Sequence, residues 1–224
     1  MTRRPYLIAS MATGLACLAS SCTFSERAAP QYVAPPAYRP QNQKDVRVKV
    51  SLSNAAVYVM ENERPLLVAA TCIGKPDSPT PTGHFRAFNR LPRKRSNTYG
   101  FHVAGGNIIP GKRVNTPRGH RYIGYPMPYW VEFKSGYGFH AGYVHPVPRS
   151  HGCLRLHNTV APKFFALVPH GTPIHIAHSQ PEDATYGRHI SRPTDYNDPD
   201  PPGEYLISRQ FFDDLEPRAP LFAN

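Results

Sequence analysis

One cysteine of the chain lies close to two histidines and a glycine. Ser150, His151 and Gly152 directly precede Cys153, and His140 lies thirteen residues before it. A thiol attacks a carbonyl carbon as the thiolate, so it needs a neighbouring imidazole that takes its proton or stabilises its charge. Because either histidine could serve, this spacing predicts thiol acyl-transfer chemistry.

The glycine also allows the backbone to turn closely around the sulfur. Consecutive amides in such a turn can donate to the oxyanion that forms when a thiolate adds to an amide or ester. The candidate donors are the amides of His151, Gly152 and Cys153. Ser150 could cap the same turn with its hydroxyl group.

The density of histidines allows a second interpretation, a zinc site. His140, His145, His151 and His157 surround Cys153 in sequence, and zinc binds imidazole and thiolate readily. However, a single residue separates His151 from Cys153, which is not a usual spacing for paired zinc ligands, and the chain contains no HExxH or CxxC motif. The pattern therefore favours a thiol enzyme over a metal cluster.

Strands must bring the two reacting side chains together. Valines at positions 46, 48 and 50 alternate with polar residues, which predicts a half-buried strand. Further strands are predicted at Ala56–Met60, Pro65–Ile73, His84–Phe88, Tyr129–Phe133, Gly138–His140 and Ile174–Ile176. A rigid loop is expected at residues 74–83, where prolines and glycines exclude a helix. The return of the chain through residues 141–149 is expected to place His140 against Cys153.

A short helix is predicted after the cysteine. Val160, Phe164 and Leu167 fall at helical spacing, with Thr159 as the N-cap and Gly171 just past the end.

Cys72 lies in an apolar run and is expected as a buried strand residue, because a disulfide with Cys153 would consume the nucleophile.

The ordered motifs resemble the catalytic domain of the L,D-transpeptidase (YkuD) family. The resemblance extends from about Val46 to about Ile176 and rests on five segments, Thr80–Phe85, Met127–Trp130, Phe139–Gly142, Ser150–Leu156 and Gly171–Ile174. It implies a mainly β fold, a β-sandwich of mixed sheets with one short helix after the catalytic cysteine. The catalytic domain is expected to span residues 45–178.

The resemblance also implies roles for single residues. Cys153 would be the nucleophile, and His140 rather than His151 would be the base, oriented by the carbonyl of Ala141 or by a nearby oxygen. Arg155 would contact a substrate carboxylate or brace the turn. Tyr129 and Trp130 could line the cleft, although the core is an equally good place for them.

By the same resemblance, the donor substrate is a tetrapeptide stem of peptidoglycan and no cofactor or metal is needed. The acceptor could be a second stem, a protein lysine or water, and the last would make the chain an L,D-carboxypeptidase. Some relatives are amidases that cut such links. A noncatalytic lipoprotein that binds wall peptides is the alternative from another class.

The first residues indicate export. Residues 1–22 combine a basic start, a short apolar run and small residues, which is typical of a signal peptide. The sequence before Cys22 resembles a lipobox, so we expect a lipid on Cys22 and a periplasmic, membrane-anchored protein. Residues 23–44, which contain four of the 26 prolines, are predicted to be a tether.

Charge is distributed unevenly over the chain, whose formal net charge is +11. Residues 1–178 hold 22 Lys and Arg against 6 Asp and Glu, whereas residues 179–224 hold 4 against 9. The basic run at 90–95 is either a solvated surface loop or a site for a polyanion, and the export signal argues against nucleic acid.

Residues 179–224 are predicted to be a Pro-rich, partly ordered extension, with a short helix possible only at Tyr205–Leu215. Its acidic residues could pack on the basic face and restrict the cleft.

Overall fold

The computed structural model describes residues 32–223. Within them the strands are β1 (Val46–Ser51), β2 (Ala56–Glu61), β3 (Arg64–Ala70), β4 (Gly83–Arg86), β5 (Asn89–Ala104), β6 (Asn107–Lys112), β7 (Arg121–Lys134), β8 (Tyr137–Ala141), β9 (Leu154–Leu156) and β10 (Pro173–Ala177). The α-helices are α1 (Ala161–Leu167), α2 (Gly203–Ile207) and α3 (Gln210–Asp213). Five short 3-10 helices complete the secondary structure of these residues.

The strands form two five-stranded sheets. The first has the order β3-β2-β1-β10-β4, and the second has the order β6-β5-β7-β8-β9. Each sheet contains one parallel pair, β1 with β10 and β8 with β9, so both sheets are mixed. The predicted fold class, a mainly β arrangement of mixed sheets, is confirmed.

The core lies where apolar residues of both sheets and of α1 meet. Val48 and Val50 from the first sheet, Val131 and Phe139 from the second, and Phe164 from α1 are all fully buried. The strands alternate inward and outward residues, so the apolar positions of β1 face this core while Arg47 is exposed. The sequence pattern therefore determines which face of β1 is covered.

The predictions for the first half of the domain are largely confirmed. The hairpin of β2 and β3 turns at Asn62, whose φ is 52°, a conformation that asparagine tolerates better than most residues. Residues 74–82 contain no helix. Cys72 is buried and, like Cys153, is a free thiol.

The start of α1 differs from the prediction. The N-cap is Val160, not Thr159, and no side chain makes a capping hydrogen bond there. The hydroxyl of Thr159 instead lies 2.7 Å from Nδ1 of His157. A proline within the first turn needs no capped amide, which removes one reason for a side-chain cap.

The basic run at 90–95, for which a solvated surface loop and a polyanion site were both considered, is not a loop. It lies in β5, which pairs with β7 along most of its length. Arg93 makes ion pairs with Asp213 and Glu216 near the end of the chain. These contacts give the basic run a structural role that neither sequence interpretation included.

The C-terminal extension is more ordered than predicted. Two helices, α2 and α3, occupy the range in which one short helix was considered, and they bury Leu206 and Phe212. The predicted tether also needs correction for residues 32–44, because Ala37 is buried and the amide of Tyr38 donates to the carbonyl of Leu66. Its earlier part, the signal peptide and Cys22 lie outside the described residues.

No helix within residues 32–223 is long and apolar enough to cross a membrane.

Candidate active site

Two neighbouring parallel strands carry the proposed base and the proposed nucleophile. Phe139 of β8 pairs with Leu154 of β9, and His140 pairs with Arg155. Because side chains alternate along a strand, Phe139 and Leu154 face the core, whereas His140, Arg155 and Cys153 share the opposite face. His140 and Cys153 are therefore diagonal neighbours across two adjacent strands.

A closed turn holds the cysteine. The hydroxyl of Ser150 accepts a hydrogen bond from the amide of Gly152 at 3.0 Å and donates one to the carbonyl of Cys153 at 2.6 Å. Gly152 has a φ of 102°, and a Cβ there would come within 2.6 Å of the Tyr137 ring. Only glycine fits this position without strain.

The turn also narrows the choice of oxyanion donors. Because the Gly152 amide is bonded to Ser150, it is engaged within the turn. The amides of His151 and Cys153 have no hydrogen-bond acceptor among residues 32–223. These two remain candidates, while the prediction for Gly152 is corrected from an oxyanion donor to a residue that shapes the turn.

The imidazole of His140 is buried and uncharged at neutral pH. Burial, with the positive charge of Arg155 as a further cause, lowers its pKa from 6.5 to about 4. Its Nδ1 lies 2.8 Å from the carbonyl of Ala141, which can only accept. Of the orienting groups considered, the Ala141 carbonyl is therefore the one in contact with the ring, and Nε2 is left as the proton acceptor. Ala141 itself is buried, and its contact with substrate stays a prediction.

The thiol of Cys153 is partly buried and stays protonated at neutral pH. Burial raises its pKa, and the charge of Glu132 adds to this effect, while a hydrogen bond from the Gly138 amide opposes it. The sulfur lies 3.7 Å from the carbonyl oxygen of Gly136. No hydrogen bond joins the thiol to His140 within the described chain, so the thiol must rotate away from Gly136 before its proton can move.

Glu132 is a site residue that the sequence did not reveal. Its carboxylate accepts hydrogen bonds from the Gly136 amide at 2.9 Å, the Asn89 amide group at 2.8 Å and the Trp130 indole at 3.3 Å. It pairs across the sheet with Gly138 and thereby holds the β7–β8 turn beside the thiol. A glutamate in a strand carries no motif, so only the strand register shows this role.

Trp130 and Tyr129 do not line a cleft. Trp130 is 2% exposed, its ring lies 6.2 Å from the His140 ring, and a Cβ at Gly138 would touch it at 2.8 Å. Tyr129 donates to the carbonyl of Leu215 at 2.9 Å and packs against the core. Of the two places considered for these residues, the structure shows the core, where Trp130 packs beside the base and Tyr129 contacts the C-terminal segment.

Arg155 and His151, which flank the nucleophile in sequence, make different contacts. The guanidinium of Arg155 is half-buried and has no hydrogen bond or ion pair within residues 32–223, so it does not brace the turn. A half-buried cation without a partner is suited to a carboxylate ligand. The exposed ring of His151 stacks on Tyr99 with ring centroids 4.4 Å apart, which occupies it outside the thiol–imidazole pair.

The histidines considered for a zinc site do not converge. In the described part of the chain, no group of three or more His, Cys, Asp or Glu side chains could hold a metal ion. His157 lies 3.4 Å from the carboxylate of Asp195, His151 stacks on Tyr99, and His140 is bonded to Ala141.

The chain is similar in sequence to one family of known proteins. The profile of the YkuD family, described as the L,D-transpeptidase catalytic domain, matches residues 45–176. No curated protein sequence matches the chain. An L,D-transpeptidase from Mycobacterium smegmatis is 19% identical with a TM-score of 0.46, and the alignment covers 59% of this chain and 58% of that chain.

Two further solved structures are similar to a comparable extent. An L,D-transpeptidase from Stackebrandtia nassauensis is 19% identical with a TM-score of 0.46, covering 65% of this chain and 60% of its own. L,D-transpeptidase 1 of Mycobacterium tuberculosis is 22% identical with a TM-score of 0.43, covering 59% and 61%. The chain thus spans about three fifths of the length of these solved relatives. Since the family profile matches more than half of the chain, the chain belongs to the YkuD family of L,D-transpeptidase catalytic domains.

Proposed function

We propose that the chain is a cysteine-dependent L,D-transpeptidase that acts on tetrapeptide stems of peptidoglycan. The observation that carries the proposal is the pairing of β8 with β9, which puts the His140 ring, oriented through Nδ1, on the same sheet face as the Cys153 thiol. The pKa of His140 is lowered and that of Cys153 is raised by burial, so both groups are neutral at neutral pH. A neutral base next to a neutral thiol is suited to general-base activation of the nucleophile.

The first half of the reaction forms a thioester. The Cys153 thiol gives its proton to Nε2 of His140 as the sulfur attacks the carbonyl carbon of the L-centre of diaminopimelate. The amides of His151 and Cys153 donate to the oxyanion. The bond to the terminal D-alanine then breaks, and the proton moves from His140 to the leaving amine.

The second half transfers the acyl group. An acceptor amine attacks the thioester carbon, gives a proton to His140, and releases the thiol of Cys153 as that proton returns to sulfur. A second stem as acceptor gives a diaminopimelate crosslink, and a protein lysine gives a wall-anchored protein. Water gives an L,D-carboxypeptidase. The energy of the broken amide is kept in the thioester, so the step needs no ATP.

Arg155 supports the choice of a peptide donor. Its half-buried guanidinium lies two residues after the nucleophile, and its charge acts on both His140 and Cys153. A stem peptide carries carboxylates close to its scissile bond, which an unpaired guanidinium would bind. We propose that Arg155 orients the donor in this way.

Product analysis with the purified full-length chain tests the function. Incubation with disaccharide tetrapeptides is expected to yield crosslinked dimers or tripeptides, separable by chromatography. Cys153→Ala should abolish both products, whereas Cys72→Ala, at the other free cysteine of the described residues, should leave them unchanged. Turnover that survives Cys153→Ala would refute the proposal. Binding of stems without any product would favour the noncatalytic alternative.

We also propose that the protein is exported and anchored in the periplasm through a lipid on Cys22. The support is the sequence of residues 1–22 alone. Metabolic labelling with a fatty acid is expected to label the wild type and not Cys22→Ala, and an unlabelled wild type would remove the anchor.

A further inference from the structure

A pocket of about 580 Å³ opens on the outer face of the first sheet, toward the edge that β4 forms. Its lining includes Lys44, Arg47, Arg86, His170 and Pro173. None of the described residues that line it is an aspartate or a glutamate. Basic side chains from separate parts of the chain therefore meet at this pocket without an acid among them.

Strand register explains how the two arginines reach one place. Val48 of β1 pairs with Ile174 of β10, and Pro173 of β10 pairs with Arg86 of β4. Because Val48 and Ile174 lie in the core, the residues before them, Arg47 and Pro173, face outward. Arg86, opposite Pro173, faces outward as well. The two arginines thus flank Pro173 on the solvent side of the sheet.

The cations of the pocket have donors to offer. Lys44 and Arg47 are exposed, and within residues 32–223 neither side chain makes a hydrogen bond or an ion pair. Arg86 donates to the carbonyl of Gly171 at 2.8 Å, which fixes its guanidinium beside the pocket and leaves further N–H groups for a ligand.

Two acids that neighbour the pocket in sequence or register are engaged elsewhere. The carboxylate of Asp45 accepts a hydrogen bond from the side-chain amide of Asn42 at 2.9 Å. Glu182 pairs with Lys49, the next outward residue of β1 after Arg47. The positive charge of the pocket is therefore not compensated by an ion pair in the described part of the chain.

Charge and size define the ligand that this pocket can hold. Two arginines and a lysine around one pocket suit a group with more than one negative charge, and a single carboxylate carries only one. An arginine fork matches the geometry of phosphate oxygens, and a lysine adds a point charge. The volume is larger than one phosphate ion and lies within the range of pockets for small ligands. Pro169 and Pro173 add apolar surface for whatever carries the phosphate.

We propose that this pocket binds the phosphoryl groups of an anionic ligand, carried by a lipid headgroup or by a phosphorylated sugar. The thiol turn lies on the outer face of the second sheet, so the pocket is a separate site. The inference does not depend on the proposed transpeptidase function.

Calorimetric titration of the full-length chain with pyrophosphate at low ionic strength tests the site. Lys44→Gln and Arg47→Gln are the informative variants, since both side chains are exposed and their loss breaks no contact among residues 32–223. Each is expected to weaken binding about fivefold, and the double variant about 25-fold. Arg118→Gln removes an exposed arginine outside the pocket lining and should bind like the wild type.

Two further titrations identify the carrier. Glucose 1-phosphate is compared with glucose, and vesicles of phosphatidylglycerol are compared with vesicles of phosphatidylcholine. The vesicle experiment uses Cys22→Ala as the parent chain, so that a lipid on Cys22 cannot contribute. Binding to phosphatidylglycerol that Arg47→Gln weakens identifies a lipid headgroup. Binding to glucose 1-phosphate without binding to the vesicles identifies a phosphorylated sugar.

Three results would overturn the proposal. One is a wild-type chain that does not bind pyrophosphate. Another is equal weakening in Arg118→Gln and Arg47→Gln, which would show attraction by net charge alone. The third is citrate that binds as tightly as pyrophosphate, because the pocket would then select carboxylates as well as it selects phosphoryl groups.

Discussion

The pKa values of His140 and Cys153 both differ from the ordinary ones, because His140 is buried and Cys153 is partly buried on one face of the second sheet. Burial lowers the pKa of His140 to about 4 and raises the pKa of Cys153. At neutral pH the imidazole is therefore neutral and the thiol is protonated. This state differs from a preformed thiolate–imidazolium pair, in which the pKa of histidine would be raised.

The pH dependence of the first turnover follows from these directions. Below its pKa, His140 is protonated and cannot accept the thiol proton, so acyl-enzyme formation should fall only as the pH drops toward about 4. We expect the rate at about pH 5.5 to stay within about 20% of the rate at pH 7, whereas a histidine with the ordinary pKa of about 6.5 would give a drop of about tenfold. Quenched-flow mass spectrometry measures this rate. A tenfold rise per pH unit through neutrality would contradict the account, because it would indicate free thiolate formed without His140.

Glu132 provides a second prediction for the thiol. Its negative charge raises the pKa of Cys153, so Glu132→Gln should lower that pKa. The pH profile of alkylation by iodoacetamide, read at the Cys153 peptide, measures the shift. Glu63→Gln, which changes an exposed acid in the β2–β3 turn, is the control and should leave the profile unchanged. An unchanged or upward-shifted profile in Glu132→Gln would show that the carboxylate acts only through packing.

Among the secondary-structure elements, β5 and α2 depend on each other through Arg95. Its guanidinium donates to the carbonyls of Gly124, Leu206, Ile207 and Ser208 at 2.7–3.0 Å. Three of these carbonyls lie at the C-terminal end of α2, where helices leave acceptors without intrahelical partners. A cation at that end also favours the helix dipole. Arg95 therefore joins α2 to the second sheet.

Arg95→Met should loosen the contact between α2 and the second sheet, because it keeps the aliphatic stem and removes every donor. We expect the free energy of unfolding to fall by about 2–4 kcal/mol, the range for losing charged hydrogen bonds and leaving acceptors unpaired. Hydrogen exchange of residues 203–207 should become faster in parallel. Arg118→Met, at an exposed arginine whose side chain has no partner within residues 32–223, is the control. Equal stability of the two variants would contradict the role of Arg95.

Local patterns explain which elements could be predicted. The valines of β1 alternate, and the prolines of residues 74–83 exclude a helix, so both predictions depended on neighbours in sequence. β5 could not be predicted in this way, because its arginines find their partners more than one hundred residues later, as Arg93 does in Asp213 and Glu216. The residues of this run have a low propensity for strands, and pairing with β7 outweighs it.

The residues of the candidate site fall into the same two groups, those that local motifs predict and those that depend on distant strand pairing. The arrangement of His140, Cys153 and the Ala141 carbonyl follows from short motifs whose backbone geometry is local. Glu132 and the burial of Trp130 follow from strand register, which no short motif records. Sequence therefore indicated the reacting groups but not the residues that hold them in place.

In the whole molecule, residues after 178 complete the domain. The carboxylate of Asp183 accepts hydrogen bonds from Tyr58 at 2.7 Å and Ser51 at 2.8 Å, while Glu182 pairs with Lys49. Tyr58 and Ser51 are fully buried. The acidic extension thus satisfies polar groups that the first sheet would otherwise leave without partners, which is costly inside a protein.

Removal of this extension should destabilise the protein. Truncation after His178 is expected to lower the free energy of unfolding by about 4 kcal/mol or more, because several buried polar groups lose their partners. Thermal unfolding followed by circular dichroism measures the change. Asp183→Asn supplies a milder variant if the truncated chain does not fold, and it should lose about 1–3 kcal/mol. Unchanged stability and activity in the truncated chain would rule out the structural role of residues 179–224.

The intact-protein mass after a single turnover tests the central claim most directly. With disaccharide tetrapeptide as donor, the account predicts an acyl adduct on Cys153 in the wild type and in Cys72→Ala, none in Cys153→Ala, and strongly slowed formation in His140→Gln. An adduct that forms equally fast in His140→Gln, or products that appear from Cys153→Ala, would contradict the account.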